Sequence, residues 1–276
     1  MEIIDTYEQV ASCFLDGKFD KKSWESYIQY IHPNARNLIE TDSQCYDYKK
    51  EIVPILNAIP DNYDRMEILH NSFCMATANL IREIRKKFHV ELDVTIILYV
   101  GLCNGAGWVT KLGDKKVIML GMEKILELNW IDEISMIGLI YHELGHIWHY
   151  AGRHTETVIK SPFSKSVWQI YAEGIAMYFE QVLLGRKFYH QDKNGWLYWC
   201  EEHKNVLIVN YIRKVEIGES IQDYFGDWCN IDGYSDTGYY LGAEFAWALS
   251  EKYNNLEILN LQLNEVWQEL KEFALA

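Results

Sequence analysis

The chain contains 276 residues, of which 49% are hydrophobic and 14% aromatic, and this composition excludes an intrinsically disordered protein. Its formal net charge of −14 leaves no basic surface for a nucleic acid and disfavours an anionic membrane, so we expect neither partner. The first residues lack the basic and apolar regions of a secretory signal, and no stretch is apolar enough to span a membrane, which predicts a cytoplasmic location.

The cysteines are scattered along the chain without Cys-x-x-Cys pairs. This pattern predicts reduced and mostly buried thiols, because disulfide frameworks and cysteine zinc sites have paired spacings. The six residues are Cys13, Cys45, Cys74, Cys103, Cys200 and Cys229.

The first 90 residues show helical periodicity and predict an N-terminal helical part over residues 1–90. Gly17, Pro33 and Pro60 interrupt this part. The predicted helical segments are residues 7–15, 24–31, 48–59 and 63–89.

Two short apolar runs, residues 94–100 and 117–120, then predict strands, because the first is rich in β-branched side chains. The glycine-rich connection at residues 101–108 favours either an extended segment that another backbone can approach closely or an ordinary turn. Glu123 is predicted to begin a short helix. The sequence therefore predicts one small sheet in a mostly helical α+β protein.

Asn129 and Asp132 resemble a capping box that opens the next helix, which Gly152 is expected to stop. A second helix is predicted over residues 167–179 with Ser164 or Ser166 as its cap. Residues 186–236 look less regular, and helical periodicity returns at residues 239–253 and 256–273. Since no linker separates these segments, residues 91–276 are predicted to form one catalytic part that shares its core with residues 1–90.

The first of these two helices carries the pattern His-Glu-x-x-His at residues 142–146. Histidines four residues apart lie on one helix face, so His142 and His146 can bind one metal ion while Glu143 faces the open coordination position. The alternative is a surface helix with two solvated histidines. The apolar residues 130–141 before the motif predict a buried helix instead, where unpaired polar side chains would be costly.

A catalytic zinc site needs a third protein ligand, and Glu173 on the second helix is the best candidate. Its neighbours are apolar, so an unpaired carboxylate would be unfavourable there, although an ordinary charged residue on an amphipathic helix is the alternative. The metzincin pattern fails, because His149 stands where it requires glycine and Gly152 where it requires histidine. Cys103 could serve as in peptide deformylases, but the glycine-rich signature of that family is absent.

The motif followed by Ala172-Glu173-Gly174-x-Ala176 resembles the gluzincin clan of zinc peptidases, which includes thermolysin and the large zinc aminopeptidases. Within the clan, the chain most resembles a small bacterial family of predicted zinc-dependent proteases. The resemblance covers roughly residues 90–255 and implies a zincin-like core. It implies Zn²⁺ held by His142, His146 and Glu173, with Glu143 as general base and a peptide or protein as substrate.

The segment at residues 238–242 resembles the Tyr-x-x-Gly segment of the aminopeptidases, which implies that Tyr239 stabilises the oxyanion. Tyr240 is the neighbouring alternative, and both tyrosines could simply be packing residues. The chain departs from thermolysin-type enzymes at Met177, where those enzymes carry an aspartate that orients the first histidine. Asp236 or a backbone carbonyl is then expected to orient His142.

Two other functions fit the same motif. One is a regulatory protein that binds zinc without proteolytic activity, and the intact Glu143 argues against it. The other is a zinc hydrolase of a non-peptide amide or ester.

Overall fold

The chain forms two compact units, Met1–Glu143 and Leu144–Ala276, in a computed structural model that describes residues 1–154, 157–226 and 228–275. The division falls inside the motif helix, which is continuous over Glu133–Gly152. The predicted organisation into residues 1–90 and residues 91–276 stays a prediction.

A small sheet and a mostly helical remainder confirm the α+β class. The main sheet has the strand order β1-β4-β6-β5, in which β1, β4 and β6 are parallel and β5 is antiparallel to β6. A separate hairpin joins β2 and β3. The strands are β1 (Glu2–Asp5), β2 (Phe14–Leu15), β3 (Lys18–Phe19), β4 (Thr95–Tyr99), β5 (Gly107–Leu112) and β6 (Lys115–Gly121).

Both predicted strands exist, and the glycine-rich connection ends in the extended segment β5. Every residue of β4 is buried, as expected for a parallel strand inside a sheet. A tight turn joins β5 to β6, and its Gly113 has a φ of +63° that disfavours other residues. Strand β1 was not predicted, since four residues that begin a chain carry little periodicity.

The helices of the first unit differ from the predicted segments at four places, the first being an additional helix over Ala35–Asp42 that lies outside all of them. Residues 7–15 form a 3₁₀ helix and a short strand, and residues 48–52 form a π-helical turn. The predicted helix over residues 63–89 is broken after Thr77, whose hydroxyl donates to the Phe73 carbonyl. The helices are α1 (Lys21–Ile31), α2 (Ala35–Asp42), α3 (Val53–Asn57), α4 (Tyr63–Thr77), α5 (Leu80–Phe88), α6 (Met122–Glu127) and the start of α7 (Glu133–Gly152).

The second unit is helical, and α8 (Pro162–Leu184) packs against three of its other helices. A long helix, α9 (Trp196–Ile217), lies in the aromatic-rich region that the sequence predicts to be less regular. Its buried positions nevertheless recur with helical spacing from Trp196 through Tyr211 to Val215, so the signal was present. The remaining helices are α10 (Thr237–Lys252), α11 (Asn255–Asn260) and α12 (Leu263–Phe273).

The caps of α7 and α8 lie at other residues than predicted. Asp132 accepts the Ser135 N–H at the start of α7. Ser161 caps α8 and forms a capping box with Ser164, because Pro162 fixes the first helical position.

All six cysteines are free thiols. The prediction that they are mostly buried is wrong for half of them, since Cys45 and Cys74 are exposed and Cys229 is partly exposed. Among the helices that the structure describes, none is long and apolar enough to cross a membrane.

Candidate metal centre

Helix α7 presents the two motif histidines one turn apart. His142 is 9% exposed and Glu143 is 6% exposed, so both lie in the protein interior rather than on a solvated surface. The alternative of a surface helix with solvated histidines is therefore wrong for this part of the motif.

The second histidine meets Glu173 because α7 and α8 cross with almost no side chain between them. A Cβ atom added to Gly145 would lie 2.6 Å from the Cα atom of Ala176 and 2.8 Å from its carbonyl oxygen. At this crossing, His146 Nε2 lies 3.4 Å from Glu173 Oε2. Gly145, which occupies a variable position of the His-Glu-x-x-His motif, thus sets the distance between His146 and Glu173.

The ligand atoms of His142, His146 and Glu173 all lie within 4.8 Å of one another. In a tetrahedral zinc site, metal bonds of about 2.0 Å place a nitrogen and an oxygen ligand about 3.3 Å apart, close to the distance between His146 and Glu173. Two imidazoles and a carboxylate form a donor set that suits zinc and related divalent ions. The structure therefore brings together the predicted group, which can hold a metal ion.

Glycine residues also hold α8 close to α10, directly after Glu173. A Cβ atom on Gly242 would lie 2.9 Å from the Ile170 carbonyl oxygen and 3.0 Å from the backbone nitrogen of Gly174. The prediction that Gly174 allows a close helix approach is confirmed, and the partner helix is α10. This second crossing fixes the turn of α8 that carries Glu173.

His149 lies one further turn along α7 but packs in an aromatic cluster. Its ring stacks on Trp168 at 5.3 Å between centroids and meets the edge of Tyr171 at 4.9 Å. Burial, helped by the charge of Arg153, lowers the pKa of His149 to about 3, so the ring is neutral at physiological pH. Its position therefore gives it a packing role, and the metzincin pattern fails in the structure as in the sequence.

The carboxylate of Glu143 lies against the first residue of β5. A Cβ atom added to Gly107 would be 2.8 Å from Glu143 Oε1 and 2.9 Å from Leu139 Cδ1, so a larger residue there would displace one of these side chains. Strand β5 pairs with β6 on one side, and on its other side it has no partner strand within the described ranges. An open strand edge therefore adjoins the predicted general base.

The glycine-rich connection that precedes β5 is fixed by a buried carboxylate. Glu123 lies in the first turn of α6, the short helix predicted to begin there, and its two oxygens accept the N–H groups of Gly101 and Cys103 at 2.9 and 3.1 Å. Burial raises the pKa of Glu123 to about 7 against the lowering effect of these hydrogen bonds. This anchoring role joins residues about 20 positions apart, so local sequence patterns do not indicate it.

Cys103 does not join the histidines. Its thiol is buried, and burial followed by the charge of Glu123 raises its pKa well above the usual range. Within the described part of the chain, the ligand atoms that converge on the two histidines come from Glu173 and not from this cysteine. The arrangement of peptide deformylases is therefore not the one in this structure.

Tyr239 and Tyr240 differ in burial at the start of α10. Tyr240 is 3% exposed and packs against Tyr189 and Trp196, so it lies in the core. Tyr239 is partly exposed, and its ring lies 5.6 Å from that of Phe225. Its role at the oxyanion stays a prediction.

The residue that orients His142 also stays a prediction. Met177, four residues after Glu173, is buried, and its thioether sulfur is only a weak acceptor for an imidazole N–H. Asp236 precedes α10, and its Oδ1 accepts the Gly226 N–H at 2.7 Å.

Comparisons with known proteins found no matching family model, no similar curated protein and no similar solved structure. The case for a function therefore depends on the geometry of the residues themselves.

Proposed function

We propose that the chain is a zinc-dependent peptidase of the gluzincin type, in which His142, His146 and Glu173 hold zinc and Glu143 is the general base. The observation that carries the proposal is the convergence of the three ligand side chains within 4.8 Å, with Glu143 beside His142 on the same helix. A set of two histidines and one glutamate leaves a fourth position open for water, as catalytic zinc sites require.

When bound, zinc lowers the pKa of a coordinated water to about 7 and polarises the carbonyl of the substrate. Glu143 accepts a proton from the attacking water and returns it to the leaving amine, which needs a carboxylate held beside the reacting atoms. Its burial against Gly107 limits the positions that this carboxylate can take. Tyr239 donates a hydrogen bond to the developing oxyanion.

The open edge of β5 supports a peptide as the substrate. An extended peptide can pair its backbone with an unpaired strand edge, and Gly107 places that edge against Glu143. A peptide bound along β5 would thus pass its backbone next to the general base. The order of strand, glycine-rich edge, motif helix and glutamate helix agrees with the zincin-like core that the resemblance implies.

Metal analysis and peptide cleavage, measured together, test the proposal. The purified protein should bind about one zinc ion per chain at His142, His146 and Glu173 and cleave members of a peptide library. Glu143→Gln should keep the zinc and lose most turnover, whereas Glu173→Gln should lose zinc affinity, because only the second change removes a ligand. Glu133→Gln is the matched control, since Glu133 is an exposed acid on the same helix.

The opposite pattern, with zinc lost in Glu143→Gln and kept in Glu173→Gln, would contradict the assignment. A wild-type protein that binds zinc and cleaves no peptide, amide or ester would instead be a regulatory zinc protein. Hydrolysis confined to non-peptide amides or esters would identify the protein as a zinc hydrolase of such substrates instead of a peptidase.

A further inference from the structure

A second cluster of ligand side chains, Asp5, His70 and Cys74, lies in the first unit and shares no residue with the proposed catalytic site. One ligand atom from each of these residues lies within 4.8 Å of the other two. Asp5 ends strand β1, and the other two residues belong to α4. The spacing of four residues puts His70 and Cys74 on the same face of that helix.

The carboxylate of Asp5 and the thiol of Cys74 both lie at the same nitrogen atom of the His70 ring. His70 Nε2 lies 2.6 Å from Asp5 Oδ2 and 3.5 Å from Cys74 Sγ. A tetrahedral zinc ion with bonds of about 2.0 Å to nitrogen and about 2.3 Å to sulfur separates these two ligands by about 3.5 Å. The imidazole and the thiol therefore already stand at ligand spacing, and only Asp5 needs to move back slightly.

Neighbouring groups hold two of the three ligands in place. The ring of Tyr7 stacks on the His70 imidazole with centroids 4.1 Å apart and an interplanar angle of 8°. The Tyr7 N–H donates to Asp5 Oδ1 at 3.0 Å, so that Oδ2 is the oxygen that faces His70. Such support from outside the ligand set is typical of metal sites.

The geometry argues against a nucleophilic cysteine. In a Cys-His-Asp catalytic triad, the thiol and the carboxylate bind opposite nitrogens of the imidazole. Here both lie at Nε2, so Asp5 occupies the position that would accept the thiol proton. Convergence of three atoms on one point is instead what a metal ion requires.

We propose that Asp5, His70 and Cys74 bind a divalent transition-metal ion of the zinc class through one carboxylate, one imidazole and one thiolate. Thiolate and imidazole ligands select such ions over magnesium and calcium. Binding displaces the thiol proton to solvent and leaves one coordination position for water. The ion joins the edge strand β1 to α4, so it stabilises the first unit.

Cobalt(II) is the probe, because a thiolate ligand gives it a charge-transfer absorption in the near ultraviolet that a site of histidine and carboxylate lacks. Titration of the full chain should produce this band. Cys74→Ser should abolish it, and Asp5→Asn should weaken cobalt affinity more than about tenfold, while Glu173→Gln should leave the band unchanged. The band thus reports this site whether or not the proposed peptidase site binds metal.

Cys45→Ser is the matched control, since Cys45 is exposed and its thiol donates to the Asp42 carbonyl at 3.5 Å. This variant should retain the band. Zinc should also raise the melting temperature less in Cys74→Ser than in Cys45→Ser. A wild-type protein without a thiolate band, or a band that survives in Cys74→Ser, would overturn the proposal.

Discussion

Replacing Gly145 by alanine tests whether the contact between α7 and α8 sets the metal geometry. The added Cβ atom would lie 2.6 Å from the Cα atom of Ala176, whereas ordinary contact begins at 3.4 Å. The obstructing atoms are backbone, so the helices must separate by about 0.8 Å. The distance between His146 Nε2 and Glu173 Oε2, which is 3.4 Å in the wild-type protein, would then increase to about 4.2 Å.

Zinc bonds tolerate deviations of only about 0.2 Å, so Gly145→Ala should weaken zinc binding by about 100-fold. The overpacking costs about 1–3 kcal/mol, and the higher helix propensity of alanine offsets about 1 kcal/mol of it. The melting temperature of the metal-free protein should therefore fall by no more than a few degrees. Chelator competition measures the zinc affinity, and calorimetry measures the stability.

Gly152→Ala is the control on the same helix. Its Cβ atom would meet mainly the Cδ1 methyl of Leu259, which can rotate away, so zinc affinity should stay at the wild-type value. Wild-type zinc affinity in Gly145→Ala would refute the argument that this crossing positions Glu173.

Three further predictions concern residues around the site. Tyr239→Phe should lower kcat by a factor of about 100 to 1,000 with KM and zinc content nearly unchanged, whereas the same loss in Tyr240→Phe would move the donor by one residue. Gly105→Val should raise KM for peptides, because the added side chain obstructs the edge at which the peptide backbone is proposed to bind. Zinc content should stay unchanged, because the Cβ atom at residue 105 would meet only the Gly107 carbonyl, at 3.3 Å. Unchanged kinetics would show that the connection is a simple turn. The folded-state pKa of Glu123, about 7, lies above the ordinary value of 4.5. Glu123 therefore stabilises the folded protein below pH 4.5, and this stabilisation is lost as the pH rises through 7. The free energy of unfolding should fall by about 3 kcal/mol over this range, and denaturant titrations should show a flatter profile for Glu123→Gln.

Local sequence patterns determined the candidate ligands. A helix repeats every 3.6 residues, so the interval between His142 and His146 fixes their common face without any tertiary information. The apolar surroundings of Glu173 likewise predict a buried carboxylate that needs a partner. The strands at residues 94–100 and 117–120 follow from the same kind of local evidence.

Only the tertiary structure decided which distant residues meet. The contact of Gly145 with Ala176, the position of Gly107 against Glu143 and the anchoring role of Glu123 all join separate elements, and periodicity carries no information about such pairs. The cluster of Asp5, His70 and Cys74 depends on β1, a strand too short to be recognised from its residues. Long-range packing places side chains that are 65 positions apart within hydrogen-bond distance, as for His70 and Asp5, and local sequence patterns cannot encode that distance.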